Sequence, residues 1–274
     1  MRRVIAATTV IAALIGTPAL AADMALKAPT PPAPVLSWTG FYIGVNAGGG
    51  WAGTEWQNNH VSLCPGNGAF TVSSCDIGQR ATSFIGGGQI GARVQTGQFV
   101  FGIEGTADYA RFRASSLDPT GAIATALGGT SFLLTDTTRL SGLYTVTGQG
   151  GLAWDRWLGY AKGGWAGSRL YRDMFIASPV LGTFNDGNVS QQANGWTVGT
   201  GFEYRLTSLP GVSVGLEYDY IRLRAGNVAA CVTGTQGSGF SCAGGTLPLL
   251  FTGFHANVNE VLFRANYTFN WMGR

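Results

Sequence analysis

Charge is what this sequence has least of. Only 11% of its residues are Asp, Glu, Lys or Arg, less than half the share of an ordinary soluble domain. A water-facing surface needs charges of both signs, so the composition argues against an aqueous fold. Long apolar helices are missing as well. After the N-terminal stretch, no run approaches the roughly 18 apolar residues of a membrane helix. The 17 Lys and Arg residues are scattered rather than clustered, which excludes a nucleic-acid footprint. Histidine is limited to His60 and His255, and there is no CxxC. Metal binding and His-dependent nucleophilic catalysis therefore have little to build on. No cofactor and no enzymatic activity are expected.

Glycine and aromatic residues are abundant. Glycine occurs 43 times and aromatics make up 12% of the chain. There is no G-X-Y period, so collagen is excluded. The aromatic and β-branched content is too high for disorder. Residues 1–21 have the features of a secretory signal: Arg2 and Arg3, an apolar stretch from Val4 to Ile15, then Ala19-Leu20-Ala21. Cleavage there leaves a mature chain beginning Ala22-Asp23. Residues 22–37, with Pro29, Pro31, Pro32 and Pro34, form a Pro/Ala-rich linker. The remainder, 38–274, is expected to be one barrel domain.

The stretch Trp38 to Trp51, WTGFYIGVNAGGGW, sets the pattern. Phe41, Ile43, Val45, Ala47 and Trp51 share one side. Tyr42, Gly44, Asn46, Gly48 and Gly50 share the other. Alternation with aromatics at both ends is the signature of a strand crossing a bilayer. The same pattern recurs over 83–95, 98–111, 140–154, 157–168, 196–206, 212–223 and 255–269. That makes eight strands, with short turns at 95–98, 155–156 and 208–211. Long connections fall at 51–80, 112–136, 169–193 and 224–254. Short turns on one side and long loops on the other are how outer-membrane barrels are strung. An unpaired edge cannot sit in lipid. The expected fold is therefore an all-β, eight-stranded antiparallel transmembrane barrel with four long extracellular loops.

On the faces shared with Gly and Thr stand Arg93, Glu104, Asp108, Lys162, Glu203, Arg205, Glu217, Asp219 and Arg264. An eight-stranded barrel has room only for its own side chains. These charges form either a salt-bridged plug or the lining of a narrow pore. Gly48–Gly53 and Gly86–Gly91 match GxGxxG. A dinucleotide site needs a helix immediately afterwards, so these glycines are expected to leave space in the lumen. Cys64 and Cys75, and Cys231 and Cys242, lie in two of the long connections. Four cysteines permit three connectivities. The pairs 64–75 and 231–242 close the shortest loops, and zinc is the alternative.

The segments WTGFYIGVNAGGGW, QTGQFVFGIEG, GLAWDRWLGYAKGGWAG, GWTVGTGFEY and VLFRANYTF resemble the opacity-type, OmpA-like porin-family proteins of alphaproteobacteria. The resemblance covers nearly the whole mature chain. It implies an integral protein of the outer membrane, in contact with membrane lipid and lipopolysaccharide and inserted by the barrel-assembly machinery. It also implies a structural role that supports the envelope and presents loops outside. The alternatives are a narrow porin for water, ions or small solutes, and adhesion or partner binding through the loops. Some relatives are joined to peptidoglycan through an N-terminal Ala-Asp, which here would be Ala22-Asp23. The family's aromatic C-terminus is displaced, because Asn270-Trp271-Met272-Gly273-Arg274 follow Phe269. That leaves either an internal insertion signal or one carried by Trp271.

Overall fold

The computed structural model describes residues 36–56, 77–118, 133–178, 182–185, 189–226, 228–230, 233–234, 249–251 and 253–269. The described residues hold twelve strands. Eight build the barrel: β1 (Gly40–Trp56), β2 (Ile77–Thr96), β3 (Phe99–Asp118), β4 (Leu133–Trp154), β5 (Trp157–Ser178), β7 (Val189–Arg205), β8 (Val212–Ala225) and β12 (Phe254–Phe269). Four are short: β6 (Gly182–Asn185), β9 (Val228–Ala230), β10 (Thr233–Gly234) and β11 (Leu249–Phe251). β6 extends the sheet beside β5, and β9 pairs with β11.

Each barrel strand pairs antiparallel with its neighbours in the order β1-β2-β3-β4-β5-β7-β8-β12. The ring closes when β12 returns to β1, from Phe41 opposite Phe269 to Trp56 opposite Phe254. Closure satisfies the backbone groups that an open edge would leave bare in lipid. The tight connections are at Gly97-Gln98, Asp155-Arg156 and 206–211, with positive φ at Gly97, Asp155 and Gly211. The longer connections leave from the opposite end of the barrel.

The outer surface is apolar all the way round. Phe41, Ile43, Val45, Ile90, Val94, Phe101, Ile103, Val146, Val198, Phe202, Val261 and Phe263 are exposed. An apolar surface of this extent would drive aggregation in water. Aromatics bound it on both sides. Phe41, Phe99, Trp154, Trp157 and Phe269 lie toward the tight turns, and Trp51, Phe84, Tyr109, Tyr144, Trp165 and Trp196 toward the other end. Trp51 follows Phe41 by ten positions on β1. At about 3.3 Å per residue and a tilt near 40°, that spans about 25 Å, the height of a barrel's lipid-facing band.

The strands run further than the sequence pattern indicates. β1 continues to Trp56, β2 begins at Ile77, and β3 and β4 extend through Asp118 and from Leu133. β5 and β7 likewise reach into the stretch expected as loop. Beyond the upper aromatics the alternation inverts. Arg111 and Arg113 point out while Phe112 and Ala114 point in. A pattern of this sense belongs to a small water-surrounded barrel, stacked on the membrane-spanning one.

A bulge lies in this extension. The β3–β4 register shifts between Asp108 and Arg111, and the β4–β5 register shifts between Ser141 and Leu143. Gly142 sits there at φ 72°, a conformation that side chains with a Cβ resist. Gly142→Ala is expected to cost about 1–2 kcal/mol, read as a lower urea midpoint of the refolded barrel.

Candidate functional site

The interior is filled in three layers. At the turn end, Trp38 is 1% exposed and packs with Val100, Leu158 and Tyr160. Its backbone N–H donates to Gln95 Oε1 at 2.7 Å, and the Arg205 guanidinium stacks on its ring at 4.5 Å. Arg205 also donates to the Ser37 carbonyl at 2.7 Å. Residues just before β1 are thereby tied across the turn-end mouth.

The middle layer is ionic. Glu217 on β8 accepts from Lys162 Nζ at 2.7 Å, from Tyr160 Oη at 2.6 Å and from Arg264. Arg264 on β12 also donates to Glu104 on β3, which accepts from Tyr42 Oη at 2.7 Å. Lys162 lies 3.1 Å from Asp219 and 3.7 Å from Glu104. Arg93 on β2 holds Glu203 on β7 through two hydrogen bonds, of 2.9 and 2.6 Å. Such two-pronged geometry is the strong form of this pair. Ser213 Oγ donates to the same carboxylate at 2.9 Å, and Arg93 stacks 4.2 Å over the Tyr42 ring. Amides complete the layer. Asn46 donates to Asp108 at 2.7 Å and to Gln89 at 3.0 Å, and Gln89 donates to Asn266 at 2.8 Å.

Inward glycines make room for these groups. A methyl group at Gly199 would overlap the Asp219 carboxylate, and one at Gly87 would overlap Asp108. The two GxGxxG stretches lie within β1 and β2, with no helix following in the described residues.

Nearer the loop end the lumen is apolar. Trp56, Ile85, Phe112, Leu140, Leu143, Leu170, Ile221, Leu223, Phe254 and Val258 form one buried cluster. Trp56 Nε1 donates to Thr138 Oγ1 at 2.9 Å, and Arg172 stacks 4.2 Å from its ring.

All nine charged residues singled out in the sequence, from Arg93 to Arg264, are buried inside the ring. Eight of them are in the middle layer, and Arg205 is at the turn-end mouth. The sequence reading omitted Glu260, which is 3% exposed. Its even position beside Leu262 and Arg264 on β12 already marked it as inward. It also omitted Arg172, which fell in a stretch expected as loop. His255 lies on the outer face of β12, opposite Glu55 and Arg224. Ala22, Asp23, His60, Cys64, Cys75, Cys231, Cys242 and Trp271 lie outside the described residues.

Residues 10–246 match the family model described as outer membrane protein beta-barrel domain. The 31 kDa outer-membrane immunogenic proteins of Brucella melitensis and Brucella suis are each 32% identical over 216 residues, covering 76% of this chain and 82% of theirs. Among solved structures, OprG of Pseudomonas aeruginosa aligns with a TM-score of 0.42 at 12% identity, over 84% of this chain and 96% of its own. The chain belongs to the outer membrane protein β-barrel family and is an integral protein of the outer membrane.

Proposed function

We propose that this protein is a structural, non-conducting barrel that supports the envelope and presents its longer connections outside. The observation that carries the reading is the filled lumen. An aqueous path would have to pass Trp38 at one mouth, then a layer of ion-paired and hydrogen-bonded side chains, then a buried apolar cluster that includes Trp56, Phe112 and Phe254. Interiors packed to ordinary protein density admit few waters, and an ion crossing the apolar layer would find few groups to replace its hydration, chiefly Thr138 and Arg172 beside Trp56.

Planar-bilayer recording of the refolded mature protein tests this. Protein whose heat-modifiable migration shows it folded is expected to give no steady openings. The Arg93→Ala variant is expected to give none either, because the apolar layer above it stays intact. Reproducible openings in the parent protein, altered in size or ion preference by Arg93→Ala, would make the charged layer a pore lining instead.

A further inference from the structure

The outer face carries a second feature that the filled lumen does not explain. Directly beyond the upper aromatics, β3, β4 and β5 present Arg111, Arg113, Arg139 and Arg169 outward. Arg113 stands directly opposite Arg139 across the β3–β4 pair. Arg111 and Arg169 both face Ser141, from either side of β4. Like charges directly opposite each other on a sheet are destabilising, and among the described residues none of the four has an ion-pair partner. Arg139 stacks 4.5 Å from the Tyr171 ring. Asp173 is exposed on the same face of β5, two residues beyond Tyr171 and farther from the membrane band. Other strands carry arginine at this level too: β8 presents Arg222 and Arg224 outward, opposite Asn257 and Asn194, and β2 presents Arg80, but among the described residues only on β3 and β4 do two arginines stand face to face.

Height decides what the patch meets. Arg111 follows Tyr109 by two residues, Arg169 follows Trp165 by four, and Tyr144 lies just below the bulge under Arg139. At about 3.3 Å per residue and a tilt near 40°, the backbone at these arginines stands about 5–10 Å above the girdle. That is headgroup level, and the longer connections of such barrels face outside. Guanidinium forks match phosphate oxygens two at a time. Below the patch, Gly105, Gly148 and Gly163 leave a shallow strip on the lipid face, with Gly148 opposite Gly163.

We propose that Arg111, Arg113, Arg139 and Arg169 form a binding site for the phosphates of lipid A in the outer leaflet, with an acyl chain lying along the Gly105–Gly148–Gly163 strip. The site rests on the outer-membrane placement and is independent of whether the lumen conducts. A bound phosphate offsets the Arg113–Arg139 repulsion, so the anion explains an arrangement that is otherwise unfavourable.

The test uses the full mature protein in nanodiscs, titrated with bisphosphorylated lipid A and separately with the dephosphorylated form bearing the same acyl chains. The parent is expected to bind the bisphosphorylated form about tenfold or more tightly, with the difference shrinking in high salt. The variant R111Q/R113Q/R139Q/R169Q is expected to fold as well as the parent and to lose the preference. Because Arg111, Arg113 and Arg169 are exposed and Arg139 half-buried, and the change removes the Arg113–Arg139 opposition, its unfolding midpoint without lipid A should match or exceed the parent's. Equal binding of both lipids by the parent overturns the proposal, as does an unchanged preference in the variant. So does Arg-dependent capture of a soluble sulfated polysaccharide with no preference between the two lipids.

Discussion

Arg264→Met is expected to destabilise the folded barrel by about 3–5 kcal/mol, the usual cost of stranding buried charge. Arg264 hydrogen-bonds to both Glu104 on β3 and Glu217 on β8, and it also donates to Tyr160 Oη at 3.1 Å. Without it, Lys162 alone faces both carboxylates, 3.7 Å from Glu104 and 2.7 Å from Glu217. Methionine fills similar volume, so the loss is electrostatic rather than a cavity. Urea titration of the refolded protein in micelles, followed by tryptophan fluorescence, measures it. Adding Glu104→Gln and Glu217→Gln to the same chain is expected to recover most of the loss, because the stranded charges are then gone. The size of the effect also separates plug from pore. Charges bathed in lumen water would behave like surface pairs, and Arg264→Met would then cost no more than about 1 kcal/mol. A loss that small would contradict a dry middle layer.

The sequence made the membrane-spanning half of this barrel legible because a single rule holds there. Apolar residues face lipid, and glycine, threonine or charge faces the lumen. Phe101, Ile103, Val198 and Tyr218 are outward, and Gln89, Glu104, Thr147 and Glu217 are inward. Nothing in a one-dimensional pattern pairs the charges, however. Arg93 meets Glu203, 110 positions away, and Arg264 meets Glu104, 160 away. Those partners depend on barrel closure and stagger, which fix who stands at the same height across the lumen. The outer extension was unreadable for a different reason. At Arg111-Phe112-Arg113-Ala114 the strand keeps its period of two but reverses its polarity. Charge at every second position looks like a solvated connection when the rule in force says outward means apolar. Trp38 escaped notice in the opposite way. It resembles the start of the first strand's girdle, yet the strand begins at Gly40 and the indole turns inward under Arg205.

That reversal of polarity gives the extension a core of its own, and Trp56 is its keystone. The side chain is fully buried on β1. Its ring centroid is 4.8 Å from that of Phe254 on β12, its indole N–H reaches Thr138 on β4, and Arg172 on β5 covers its face. One residue therefore ties four strands together above the membrane band. Trp56→Ala is expected to cost about 3–5 kcal/mol, with part of the loss from the stacked guanidinium. Trp56→Phe should retain most of the packing and lose about 1 kcal/mol for the missing hydrogen bond. The damage is expected to be local. Hydrogen exchange in the Ala variant should speed up toward the loop ends of β1, β4, β5 and β12, while amides near Arg93, Glu104 and Arg264 keep their protection. The two layers share strands but not side-chain contacts of this kind, and lipid holds only the lower one. Exchange that rises equally in both halves would mean that the ionic layer and the apolar layer fold as one unit, and the picture of a water-surrounded barrel stacked on a membrane-spanning one would fail.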